Sequence, residues 1–196
     1  MKKKINNIIV NGLKESITLK SEILNSDLIN QIENTGMSLI KCLKNGGKVL
    51  FAGNGGSFSD SQHLAAEFIG KFLIDRDALP ALALGTNSSS ISATSNDYGY
   101  ENIFSRELSI LGSNKDIFMP ITTSGNSKNL IKAINTANDK KIKSVALTGA
   151  SGGALAKLCE CIKVPSNSVP RIQECHILIG HLLCQIVEEG IFKPKD

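Results

Sequence analysis

A short apolar run that ends in glycines and leads directly into a helix is the feature that most constrains how this chain folds. Residues 48–52 read Lys-Val-Leu-Phe-Ala, residues 53–57 read Gly-Asn-Gly-Gly-Ser, and a helical pattern then continues to about residue 73. Four more runs of buried-strand type lie at residues 81–84, 117–121, 144–148 and 161–164. The helical stretches between and after them lie near residues 88–95, 101–111, 127–140, 153–158 and 170–190. Because strands that alternate with helices build parallel sheets, the sequence predicts an α/β fold with a five-stranded parallel sheet flanked by helices.

Two amphipathic helices are predicted before the first strand. Apolar residues recur at helical spacing over residues 4–23 and again over residues 28–43, and Gly46-Gly47 is typical of a helix C-terminus. We expect residues 1–46 to pack outside the sheet and residues 47–196 to form the α/β core. Too few residues remain to cover both apolar stripes, so pairing with another subunit is expected. No repeat or linker divides residues 1–196, which predicts a single domain.

Composition and charge exclude several classes of protein. Aromatic residues make up 5% of the chain and Trp is absent, which leaves little material for a platform that stacks nucleic-acid bases. The net charge of +4 is modest and the lysines occur in short runs typical of solvated surface, so no nucleic-acid partner is predicted. Five cysteines, an odd number, argue against a secreted disulfide framework. With no signal-peptide core and no apolar run of membrane-spanning length, we expect a cytoplasmic protein without a membrane partner.

Two loops at the predicted strand ends carry groups suited to a phosphate. In residues 53–57 the glycines let the backbone approach an anion, and the following helix presents unpaired N–H groups and the positive end of its dipole. Residues 122–127 read Thr-Thr-Ser-Gly-Asn-Ser and offer hydroxyls in place of Arg or Lys. Either loop alone is also typical of an ordinary capping turn. Together, at the carboxyl ends of parallel strands, they predict a site for a phosphorylated small molecule.

Polar side chains on two helices form a second candidate constellation. His63 and Glu67 are four residues apart on the helix that starts at the first loop, so they share a face. Gln173 and His181 are eight residues apart on the last helix, or roughly 80° of rotation, and can line one broad face. Such a set could bind a divalent metal or act as an acid–base pair with Glu67 as the base. The structural alternatives are a surface ion pair for His63 and Glu67 and a hydrogen-bonded core histidine for His181. His176 lies off this face and is expected to be structural or at an interface.

The chain as a whole resembles the sugar isomerase (SIS) domain family, and within it the phosphoheptose isomerases. The SIS class is indicated by the segments GNGGS and TSGNS, and the narrower group by the H-x-x-x-E and R-I-Q-E-x-H-x-x-x-x-H elements. The matching segments lie at residues 53–57, 63–68, 79–84, 95–107, 123–127, 147–153 and 171–181. The resemblance implies a flavodoxin-like sheet, an N-terminal helical pair used for oligomerisation, and a cytoplasmic homotetramer. It also implies conversion of sedoheptulose 7-phosphate to D-glycero-D-manno-heptose 7-phosphate through an enediol, for lipopolysaccharide or capsule.

The resemblance assigns roles residue by residue. Substrate contacts are implied for Asn54, Gly55, Gly56, Ser57, Glu67, Asn96, Asp97, Thr122, Thr123, Ser124, Ser127 and Gln173. One zinc ion per subunit is implied, with His63, Glu67, Gln173 and His181 as its ligands. Glu67 and His181 match the family's proposed acid–base pair, so Glu67 carries two roles that oppose each other. The remaining hypotheses are a non-catalytic SIS module that binds a phosphosugar or a protein partner, and an isomerase of another sugar phosphate.

Overall fold

The computed structural model describes residues 1–193, so residues 194–196 of the predicted core range lie outside the described residues. The helices are α1 (Lys2–Leu24), α2 (Leu28–Lys44), α3 (Gly56–Ile69), α4 (Ser88–Tyr98), α5 (Ile103–Leu111), α6 (Lys128–Asp139) and α7 (Val169–Phe192). The strands are β1 (Val49–Gly53), β2 (Ala81–Ala83), β3 (Ile117–Ile121), β4 (Lys143–Thr148) and β5 (Glu160–Lys163). Short 3-10 turns lie at Tyr100–Asn102 and Gly153–Lys157.

The strands form one parallel sheet in the order β2-β1-β3-β4-β5. This is the flavodoxin-like order, and the predicted five-stranded parallel sheet is confirmed. The chain leaves β1 toward one edge to form β2, and then crosses to the other side of β1 to form β3. Because ligands of open α/β sheets bind where the strand order reverses in this way, the loops after β1 and β3 lie at the expected binding crevice.

Two apolar layers enclose the sheet, one on each face. All five residues of β1 and of β3 are buried, which accounts for their continuous apolar sequences. Phe51 and Met119 point into the layer formed with α2, α3 and α7, whereas Leu50 and Phe118 point into the layer formed with α5 and α6. The alternation follows the two-residue period of a strand and places α3 and α7 on the same side of the sheet.

Some boundaries differ from the sequence prediction. Helix α3 ends at Ile69 and not near residue 73, and Gly70 at its end adopts φ −78° and ψ −126°. The Arg76 guanidinium donates to the carbonyl oxygens of Phe68 (2.8 Å) and Gly70 (3.0 Å), so it satisfies groups that a longer helix would have used. The predicted helix at residues 153–158 is only a 3-10 turn, and β5 starts one residue early.

The two opening helices, α1 and α2, precede the first strand and differ in how much of their surface is covered. Helix α2 packs on α7, while α1 leaves most of its apolar stripe in solvent. The exposed apolar side chains of α1 include Ile5, Ile8, Ile9, Leu13 and Ile17.

Helix α7, with 24 residues, is alone among the described helices in having the length and hydropathy of a possible membrane span. Its side chains Ile172, Ile179 and Leu183 are buried in the apolar layer beside the sheet. Core helices have the same composition, so this helix alone does not indicate a membrane protein.

Candidate active site

The first predicted phosphate loop lies between β1 and α3. Gly53 approaches the following turn so closely that a Cβ there would lie 2.3 Å from the carbonyl oxygen of Ser57. Gly55 adopts φ +58°, in the left-handed region that favours glycine. Ser57 is buried and does not cap the helix, because α3 already begins at Gly56 with Gly55 as its N-cap. The loop therefore exposes its backbone at the positive end of α3, as a phosphate cradle requires.

A pair of amide side chains joins this loop to the start of α6. The Asn54 amide donates to Asn129 Oδ1 at 3.0 Å, and the Asn129 amide donates back to Asn54 Oδ1 at 2.8 Å. Asn129 is buried on α6, and the Tyr100 hydroxyl donates to the same Asn54 oxygen at 3.0 Å. The sequence analysis missed both partners, although a polar residue within the buried stripe of α6 was an available signal for Asn129.

The second predicted loop follows β3, the strand beside β1. Thr122 is buried and its hydroxyl accepts the Gly125 N–H at 3.2 Å, so it closes the loop. The Ser124 hydroxyl accepts the Asn126 N–H at 3.2 Å. Ser127 is the N-cap of α6 without a side-chain capping bond in the described chain, so capping does not occupy its hydroxyl.

The loop at the end of β4, residues 148–153, supports the second predicted loop. Gly125 adopts φ +67°, and a Cβ on it would lie 2.0 Å from the carbonyl oxygen of Gly152. The Gly149 N–H donates to the Thr123 carbonyl oxygen at 3.1 Å, and the Leu155 N–H donates to the Gly125 carbonyl oxygen at 3.1 Å. This backbone contact fixes the shape of the second loop.

Three of the four predicted metal ligands meet between α3 and α7. The Nε2 atoms of His63 and His181 are 2.8 Å apart, and His63 Nε2 is 3.4 Å from Glu67 Oε1. The ligand atoms of the three residues lie within 4.8 Å of one another. Ligands of a tetrahedral zinc ion with bonds of about 2.05 Å lie about 3.3 Å apart, so this set fits a small divalent cation. Imidazole and carboxylate groups are also donors of the right chemical type.

The other predicted site residues lie at the edges of this arrangement. The Gln173 amide nitrogen packs on Gly56, 2.6 Å from the point that a Cβ on that glycine would occupy, which places it beside the first loop. Gly56 and His63 are seven residues apart, or about 10 Å of helical rise, so a fourth metal bond from Gln173 stays a prediction. Asn96 and Asp97 are exposed in the last turn of α4, where the Asn96 amide donates to Asp97 Oδ1 at 2.8 Å. Their contact with a sugar also stays a prediction.

Two further side chains that the sequence analysis missed lie beside the histidines. The Asp60 Oδ2 atom is buried without a hydrogen-bond partner among the described residues, and burial raises the pKa of this carboxyl against the opposing effects of His63 and His181. The Phe72 ring lies on His181 with ring centroids 5.4 Å apart. The i, i+3 spacing of Asp60 to His63 on α3 could have identified Asp60 as a neighbour of the site. Phe72 lies in a loop whose path the sequence does not predict.

Comparison with known proteins agrees with this geometry. The family model described as "SIS domain" matches residues 14–149. The chain is 50% identical over 193 residues to a phosphoheptose isomerase of Aneurinibacillus thermoaerophilus, covering 97% of this chain and 98% of that protein. The chain belongs to the SIS domain family, and within it to the phosphoheptose isomerases.

Two other relatives place the chain in the same family. Phosphoheptose isomerase 2 of Campylobacter jejuni is 50% identical over 190 residues, covering 96% of this chain and 94% of that protein. The solved phosphoheptose isomerase of Francisella tularensis superposes with a TM-score of 0.90 at 39% identity, covering 93% of this chain and 97% of the other. The resemblance drawn from the short motifs is thus confirmed over nearly the full length.

Proposed function

We propose that this chain converts sedoheptulose 7-phosphate to D-glycero-D-manno-heptose 7-phosphate, a precursor for lipopolysaccharide or capsule. It is an aldose–ketose isomerase of the phosphoheptose isomerase family. The grouping of Glu67 with His63 and His181 on the helix that begins at the phosphate loop is the observation that carries this function. A module that only bound phosphosugars would need the loops but not this grouping.

The two loops would hold the phosphate end of the substrate. The first offers the backbone of Gly55 and Gly56 at the start of α3, and the second offers the hydroxyls of Thr123, Ser124 and Ser127. Neutral donors suffice here because the helix dipole supplies positive potential. Asn96 and Asp97 would contact the sugar hydroxyls, and Gln173 would contact the substrate beside the first loop.

Isomerisation moves one proton between the neighbouring carbons C1 and C2 through a cis-enediol. Glu67 would take the proton from C1 of the ketose and return it to C2, which turns the C2 carbonyl into a hydroxyl and C1 into an aldehyde. His181 would move the proton between the two oxygens. Both side chains are partly buried, which limits competing exchange with water.

A zinc ion is the cofactor that these ligands suit, with His63, Glu67 and His181 as ligands and Gln173 as the proposed fourth. When bound, the ion would polarise the substrate carbonyl and stabilise the enediolate charge. Glu67 would then serve both as a ligand and as the base. Binding to a cation weakens a carboxylate as a base, so the two roles oppose each other. They also predict different zinc contents when Glu67 is replaced.

The decisive experiment follows heptose 7-phosphate formation by NMR in the wild type and in Glu67→Gln. We expect turnover to fall at least about a hundredfold, on the usual contribution of a general base. Glu160→Gln is the matched control, because Glu160 is an exposed carboxylate on the edge strand β5. Undiminished turnover in Glu67→Gln would remove this residue from catalysis, and an inactive wild type would reject the proposed function.

Metal analysis of the same proteins separates the two roles of Glu67. If the residue acts mainly as the base, the Glu67→Gln protein keeps its zinc while turnover falls. If it acts mainly as a ligand, zinc and turnover are lost together. His63→Ala removes a ligand but not the base, and it should lose zinc in either case.

We also propose that residues 1–196 act as one cytoplasmic domain that assembles into a homotetramer. The exposed apolar stripe of α1, centred on Ile8, Ile9 and Leu13, supports an interface with another copy. Light scattering on the purified protein tests this directly. A monomer at micromolar concentration would contradict the proposed tetramer. In Ile9→Glu the measured mass should be lower than that of the wild type, because the tetramer dissociates.

A further inference from the structure

A buried ion pair lies where the end of α3 meets α7. Arg76 Nε and Glu188 Oε1 are 3.0 Å apart, and their side chains are only 2% and 1% exposed. A buried pair is weak evidence for stability, because the cost of removing two charges from water offsets much of their attraction. The other hydrogen bonds of Arg76 and Glu188 therefore indicate the role of the pair.

Glu188 holds the segment that follows α3. Its carboxylate accepts the N–H groups of Phe72 (3.1 Å), Leu73 (2.8 Å) and Ile74 (3.2 Å). Burial raises the pKa of this carboxyl, but these N–H groups and Arg76 outweigh burial and hold it below its usual value. Glu188 is therefore charged at neutral pH, and it fixes the backbone of three consecutive residues.

Arg76 holds the other side of the same junction. Its guanidinium donates to the carbonyl oxygen of Glu67 at 2.9 Å, in addition to those of Phe68, Gly70 and Asp77. The carbonyls at a helix C-terminus have no partner within the helix, and Arg76 satisfies two of the last four in α3, those of Glu67 and Phe68. That turn carries the Glu67 side chain, 3.4 Å from His63.

The fixed segment also places an aromatic ring on the other reacting residue. Phe72 lies on His181 with ring centroids 5.4 Å apart and an interplanar angle of 35°. The His63 ring contacts His181 from another side at 5.1 Å. His181 and Glu188 are seven residues apart on α7, so they lie on one face of that helix, two turns apart.

We propose that Arg76 and Glu188 are positioning residues for the isomerase reaction, an inference that rests on the proposed function. The pair fixes the Glu67 backbone directly and orients the His181 ring through Phe72. The pair thus reaches Glu67 directly and His181 only through Phe72, and its hydrogen bonds among the described residues include none to either phosphate loop. Its removal should lower kcat and leave the KM for the phosphosugar nearly unchanged.

The test compares Glu188→Gln with Asp116→Asn. Asp116 is another buried carboxylate that accepts two backbone N–H groups and pairs with a cation, Lys48, but it lies at the amino end of β3, away from the site. Both variants should lose stability. We expect kcat to fall at least tenfold in Glu188→Gln with KM within about twofold, because an error of about 1 Å in a reacting group costs about a hundredfold. Asp116→Asn should keep its kcat at temperatures where it is folded.

Phe72 provides a second pair of variants that does not remove a buried charge. Phe72→Leu should lower kcat by a similar factor, and Phe72→Tyr should restore it, because the ring that lies on His181 is kept. The His181 ring signal in the NMR spectrum of the protein without substrate gives a readout independent of turnover. It should shift or broaden in Glu188→Gln and Phe72→Leu, and stay unchanged in Asp116→Asn.

The inference would be overturned by an unchanged kcat in folded Glu188→Gln, by an equal loss of kcat in Asp116→Asn, or by an unmoved His181 signal. A loss of substrate affinity at constant kcat would do the same. If the wild type is inactive on the heptose phosphate while the His181 signal still moves as expected, the positioning contact stands and the proposed function fails.

Discussion

His176 should make the stability of this protein fall in mild acid. The residue is fully buried on α7, and its Nε2–H donates to the Thr148 carbonyl oxygen at 3.1 Å. Burial lowers the pKa of His176 from 6.5 to about 4, although the hydrogen bond to Thr148 works in the opposite direction. The folded protein thus holds this imidazole neutral, whereas the unfolded chain protonates it near its ordinary pKa. The contribution to the free energy of unfolding is complete above about pH 6.5 and is lost as the pH falls toward 4.

The size of the effect follows from the shift. At 1.36 kcal/mol per pKa unit the full loss is about 3 kcal/mol, most of which falls between pH 7.5 and pH 4.5. Carboxylates with lowered pKa values, such as Asp116 and Glu188, add to the loss in acid, so the wild type alone does not isolate His176.

The assay is therefore urea unfolding of the wild type and of His176→Gln at both pH values and one protein concentration. Gln can donate to the same carbonyl oxygen but does not titrate. The free energy of unfolding of the variant should fall by about 2 to 3 kcal/mol less than that of the wild type over this range, since the shared carboxylates cancel. Equal losses in the two proteins would refute a neutral buried His176.

Two further predictions test the loops. Asn129→Ala should raise the KM for the phosphosugar several-fold with little change in kcat, because the first loop loses the amide that fixes it; steady-state kinetics and inhibition by inorganic phosphate measure this. Gly125→Ala should lower the melting temperature far more than Gly55→Ala, because both have positive φ but only the Gly125 Cβ would strike backbone, 2.0 Å from the Gly152 oxygen. Equal melting temperatures of the two glycine variants would contradict the close backbone contact at Gly125.

The fold was predictable from sequence because its strands are continuous apolar runs. A run such as residues 117–121, bounded by polar residues and glycines, has few alternatives to a buried parallel strand. The boundaries that failed depend on contacts between distant residues. Helix α3 ends early because Arg76 takes its last carbonyl groups, and that contact needs the path of the following loop. Local periodicity carries no information about it.

The site was predictable to the extent that its residues lie on one element. His63 and Glu67 meet because α3 fixes their spacing, and the motif resemblance supplied His181 across the gap to α7. Asn129 and Glu188 were missed because the partners through which they act lie far away along the chain. A lone polar residue on an apolar helix indicates that a partner exists without indicating which one.

Helix α3 also sets the length of substrate that the site can use. The proposed phosphate cradle lies at Gly56 and the proposed reacting groups lie near His63, seven residues or about 10 Å of helical rise away. From C1 to phosphorus, a heptose 7-phosphate chain has eight bonds, which span about 10 Å at the roughly 1.2 Å per bond of an extended chain. A pentose 5-phosphate has six such bonds and spans only about 7 Å, so its C1 would stop short of Glu67 when its phosphate is seated. Ribulose 5-phosphate should therefore be isomerised at least a hundredfold less efficiently than the heptose, measured as kcat/KM by the same NMR assay. Comparable efficiencies would mean that the phosphate is not held at the start of α3.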